Sequence, residues 1–192
     1  MSSTLTLYAL SWADIEQKIG SGDLGLYKKI IDEQKESFFS TVDNEDCANW
    51  EKALLALILN GKTPSSELSD AEGLAFASLI STLGKPIATL QHRNGFSDTL
   101  YQFLNQKAHK YFQSTFDLSY LLQRVLFHKL PSTTPLWGGL KKEEIKMILS
   151  RLPNEEALPL IELDYEAEWF FSLWEALQYA RETEIDIVSL YT

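Results

Sequence analysis

The two ends of this chain alternate with a period of two, and that constrains the fold more than anything between them. Leu5, Leu7 and Ala9 alternate with Thr4, Thr6 and Tyr8. The pattern predicts a half-buried strand over roughly Leu5–Leu10. At the far end, Glu184-Ile185-Asp186-Ile187-Val188-Ser189-Leu190-Tyr191 alternates again and is rich in β-branched residues. Lone strands are not stable in water, so the two are expected to lie in one sheet. Between them the pattern is mostly helical. The expected fold is therefore α+β: a mostly helical single domain over residues 1–192, with a small sheet containing the N-terminal and C-terminal strands.

The helices announce themselves through caps and apolar spacing. Ser11, with Asp14 three residues on, forms a loose capping box opening a helix to about Ile19. Gly20-Ser21-Gly22-Asp23 is a turn, and a helix follows from about Leu24 to Phe39 with Leu26, Ile30 and Ile31 on one side. The next starts near Asp43–Asp46 and stops at Asn60-Gly61. Ser69 opens another, ending before Gly84-Lys85-Pro86, whose Ala75, Ala77 and Ser78 favour close packing. Gln91-His92-Arg93-Asn94-Gly95 reads as a polar loop. Helices are expected from Ser97 to about Tyr111 and from about Asp117 to His128. Ser132 to Gly139 reads as an irregular loop, and Lys141 to Leu152 as a helix with Ile145, Ile148, Leu149 and Leu152 at core spacing. Leu160–Leu163 fits a short strand. Tyr165 to Arg181 fits a long helix with Trp169, Leu173, Ala176, Leu177 and Ala180 along one stripe.

Charge is distributed unevenly. From Pro153 to Thr192 ten acids face one base, Arg181, so this stretch carries −9 of the formal −10. It also holds Tyr165, Trp169, Phe170, Phe171, Trp174, Tyr179 and Tyr191. A pI near 4.8 argues against nucleic acid as a partner, because phosphate binding needs clustered Lys and Arg. It argues equally against an anionic membrane surface. The single cysteine, Cys47, forms no internal disulfide. The N-terminus lacks the basic region of a secretory signal, and the longest apolar run, Ala53–Leu59, is too short to span a bilayer. The expected compartment is the cytoplasm.

No catalytic motif, metal-ligand spacing or cofactor fingerprint is present in the sequence, and neither cofactor nor metal is expected. His92, His109 and His128 are not spaced as metal ligands. His109 lies between Lys107 and Lys110 on an expected helix, and His128 at an expected helix C-terminus, where partial positive charge complements the macrodipole. Asp43, Glu45 and Asp46 precede Cys47 and disfavour its thiolate, so a small half-buried residue in a helix is the better reading. Gly138-Gly139 before Lys141 and Lys142 fits either an anion held at a helix N-terminus or, as the commoner use of glycine, a tight turn that folds Trp137 onto the domain. Glu162, Asp164, Glu166 and Glu168 fit a solvated acidic face better than a metal site.

Both chain ends carry a resemblance: Tyr8-Ala9-Leu10 leading into a helix with Asp14 and Ile15, and the aromatic helix Trp169–Arg181 followed by Ile185–Tyr191. The arrangement looks like the YfbM-like group of small bacterial α+β proteins. The resemblance implies a bacterial cytosolic α+β domain and carries over no catalytic residue.

Three functional readings follow. The first is a non-catalytic, immunity-protein-like module that binds a basic protein through Glu162, Asp164, Tyr165, Glu166, Glu168 and Phe170, its acidic excess steering the partner. The second is an enzyme or small-ligand protein with a pocket near residues 92–94 and 137–142, using His92, Arg93, Trp137 and Lys141. The third is a structural subunit whose aromatic C-terminal helix forms a homodimer face.

Overall fold

In a computed structural model, residues 3–38, 44–60, 69–92, 100, 102–104, 112, 118–122, 136–150 and 165–191 are described. The chain falls into two compact units. The sheet unit comprises Met1–Ala9, Pro86–Arg124 and Trp137–Thr192, and the helical unit Leu10–Lys85 and Val125–Leu136.

The sheet unit contains β1 (Ser3–Ala9), β2 (Lys85–His92), β3 (Leu136–Leu140) and β4 (Ile187–Tyr191) in the order β2-β1-β4-β3. β1 and β4 pair antiparallel, with Leu5 opposite Tyr191 and Ala9 opposite Ile187. The two terminal strands are thus neighbours in one sheet, at its centre. Leu5, Leu7 and Ala9 are buried, whereas Thr4, Thr6 and Tyr8 are half-buried, as period-two alternation requires. Helix α5 (Lys142–Leu149) and helix α6 (Tyr165–Glu182) pack against one another. Leu5, Leu7, Leu90, Phe103, Phe112, Ile145, Phe170 and Leu173 belong to one apolar core.

Two strands appear where the sequence predicts loops. Gln91 and His92 close β2 instead of opening a polar loop. Pro86 disguises this strand, but it stands second in an edge strand, where a missing N–H is tolerated. Leu136–Leu140 is an edge strand rather than an irregular loop. Gly138 and Gly139 lie within β3, so they form no tight turn. Gly138 serves close approach instead. A Cβ there would lie 2.6 Å from the carbonyl carbon and 2.8 Å from the oxygen of Leu121. Leu118–Leu121 is a 3-10 helix closed by a turn at Leu122, where an α-helix is expected. Ser189 donates its hydroxyl to the Leu121 carbonyl from β4. The remainder of 123–135, with His128, the stretch around His109 and Leu160–Leu163 lie outside the described residues.

The helical unit holds α1 (Trp12–Lys18), α2 (Leu24–Phe38), α3 (Asn44–Asn60) and α4 (Ser69–Leu83). Ser11 caps α1, its hydroxyl accepting from Asp14 N at 3.4 Å. Gly20 and Gly22 sit at φ 72° and 73°, a region open to glycine without steric cost. From there their N–H groups reach Leu57 O and Ile58 O at 2.9 and 3.0 Å, satisfying carbonyls at the end of α3. Asp23 opens α2 by accepting from Leu26 N at 2.9 Å and from Lys18 Nζ at 3.1 Å. These bonds, led by the Leu26 amide, hold its carboxyl below the usual range. Trp50 is fully buried and donates to Ser78 Oγ at 3.2 Å, so the small residues of α4 do admit a close neighbour.

Cys47 lies in the first turn of α3 and is 4% exposed. In the folded protein it should react with a thiol reagent at least ten-fold more slowly than free cysteine at neutral pH. Absorbance kinetics with and without denaturant check this.

Glu72 on α4 is only 7% exposed, and its Oε1 has no hydrogen-bond partner. Burial pushes this carboxyl above its ordinary 4.5. The folded state therefore binds the proton more tightly than the unfolded chain does, and stability falls as pH rises from 4.5 through the raised value. Glu72→Gln should remove this loss, stabilising the protein by about 1 kcal/mol near pH 7. The difference should vanish toward pH 4. Urea titrations of both proteins across this range measure it.

Candidate functional site

The exposed acid–aromatic surface of the sheet unit is built on α6. At 100° per residue, Trp169, Phe170, Leu173, Ala176, Leu177 and Ala180 gather on one side. All six are buried. Trp169 donates from Nε1 to Gln91 O at 3.0 Å and meets Phe103 edge-on at 5.5 Å. Phe170 lies 5.0 Å from Phe112. These contacts fix the rotation of α6 about its axis, and so fix which residues face water.

The outward side carries Glu168, Phe171, Glu175 and Glu182, all exposed. Glu168, Glu175 and Glu182 are seven residues apart, which keeps them nearly in line and spaces them by roughly 10 Å along the axis. Phe171 stands between the first two, 42% exposed, its ring edge-on to Phe170 at 5.5 Å. Among the described residues no ion pair forms at these three glutamates. Their spacing is near the screening length of about 8 Å at physiological ionic strength. The row therefore presents a negative field over about 21 Å, with an aromatic ring set into it.

The end of α6 is closed by a hydrogen-bonded reversal. Ile185 N donates to Ala180 O at 3.0 Å and Glu184 N to Arg181 O at 3.3 Å, the pairing of a Schellman motif. It places Glu184 at φ 54°. Glu184 Oε1 accepts from Lys146 Nζ at 2.8 Å. That hydrogen bond, then the charges of Lys146 and Lys142, hold its carboxyl below the usual range. Asp186 Oδ1 accepts from Lys142 N at 2.9 Å. These two acids are therefore engaged within the unit, unlike the outward row.

Of the residues predicted for partner binding, Glu168 is exposed as expected. Tyr165 and Glu166 occupy the first turn of α6, their side chains outside the described residues, as are Glu162 and Asp164 altogether. Phe170 corrects the expectation of an exposed aromatic: it is fully buried in the core. Its neighbour Phe171 takes the outward position. The apolar stripe of α6 already contained this answer, since Phe171 lies opposite its mean direction whereas Phe170 lies near its edge.

The residues predicted for a ligand pocket are divided. His92 ends β2 and Trp137 lies in β3, at opposite edges of the sheet. Three strand spacings separate those edges, roughly 14 Å. Lys141 is exposed ahead of α5, and Arg93 lies outside the described residues. At the start of α5, Lys141 N donates to Glu144 Oε2 at 2.7 Å. Together with the Lys142–Asp186 bond, this fills the anion-binding end of the helix with the chain's own carboxylates. Among the described residues, no cluster of three or more His, Cys, Asp or Glu is arranged to hold a metal ion, and no helix is long and apolar enough to cross a membrane.

A family model described as a domain of unknown function (DUF7691) matches residues 1–192. No curated protein and no solved structure matches the chain.

Proposed function

We propose, for a chain that belongs to the DUF7691 family over residues 1–192, a non-catalytic role in capturing a basic protein. The outward face of α6 is the docking surface, with Phe171 as its aromatic contact. The observation that carries this reading is the row Glu168, Glu175 and Glu182 around an exposed ring on a helix held by its buried side. Carboxylates without ion-pair partners steer a positively charged partner and speed association, and an aromatic ring contributes contact area once water is expelled. Glu162, Asp164, Tyr165 and Glu166 precede this row in the sequence, and their three carboxylates add to the local negative charge. A second copy of the chain would bring like charge to like, which favours a basic partner over a homodimer. An immunity-like role in a bacterial cytoplasm, neutralising a basic toxin, is the specific form we favour.

Pull-down from the native host supplies the partner. Glu168→Gln, Glu175→Gln and Glu182→Gln combined should then slow association about ten-fold at low salt and flatten its salt dependence. The fold should be retained, because exposed carboxylates contribute little to stability. Stopped-flow mixing at several ionic strengths reads both effects. An unchanged rate and salt slope would reduce this face to a solvated surface and remove the basis of the proposal.

A further inference from the structure

We draw no further inference here: the strongest candidate, the buried Glu72 carboxylate in the first turn of α4, has an unpartnered Oε1 but rests on that single group, with nothing in the structure showing which ligand would meet it.

Discussion

Replacing Phe170 by alanine should destabilise the protein by about 3–5 kcal/mol. The ring is fully buried, touches Phe112 at 5.0 Å, and belongs to the core shared by β1, α5 and α6. Its removal deletes apolar contacts and leaves a cavity that helix and sheet backbones cannot fill by small shifts. Phe171→Ala, one residue on, should cost less than about 1 kcal/mol, because its ring is 42% exposed. Urea unfolding followed by tryptophan fluorescence separates them: the midpoint should drop sharply for the first variant and little for the second, with similar slopes. Equal losses would mean that α6 is rotated from the orientation described. The pair also divides core packing from the surface, since of the two rings only Phe171 is exposed.

Gly138→Ala should be comparably severe, about 3 kcal/mol or more. Overpacking typically costs 1–3 kcal/mol where side chains can give way. Here the atoms met are backbone, the Leu121 carbonyl among them at 2.6 and 2.8 Å. Moving them would disturb the 3-10 helix Leu118–Leu121 and the Ser189–Leu121 hydrogen bond. Thermal melting should show a large fall in midpoint. A near-native melt would show that β3 and the 3-10 helix are not in such close contact.

These two sites illustrate what could be read from residues alone. Phe170 is adjacent to Trp169 in an acidic stretch, and composition invited an exposed reading. Angular position decided otherwise, because α6 has enough buried positions to include both residues. Terminal strands were legible, since alternation around Leu5 and Ile187 is local and strict. The main helices were legible too, as Ser11, Gly20, Gly22 and Asn60 mark boundaries by backbone chemistry that operates within a few residues. β2 and β3 were not. Pro86 and Gly138 are poor strand formers in isolation and become acceptable only at a sheet edge or against the 3-10 helix Leu118–Leu121, a tertiary circumstance. The acidic surface was legible as charge, but its direction was not. Glu184 and Asp186 bond to Lys146 and the Lys142 amide, and among the described residues Glu168, Glu175 and Glu182 form an outward row.

The central strand pair sets an order of events during folding. Leu5 must meet Tyr191, and Ala9 must meet Ile187, so the middle of the sheet joins positions separated by almost the full span of this sequence. Closing so long a loop adds only a slowly growing entropic cost, but it delays the search for the correct register. On a ribosome, β1 emerges well before β4, so its hydrogen bonds to β4 stay unmet while the intervening residues are made. The helices Trp12–Leu83 have their packing partners close in sequence and can assemble meanwhile. β1 can meanwhile pair with β2 on one side only, and its other edge is an aggregation template, most in need of chaperone cover, until its distant neighbour arrives.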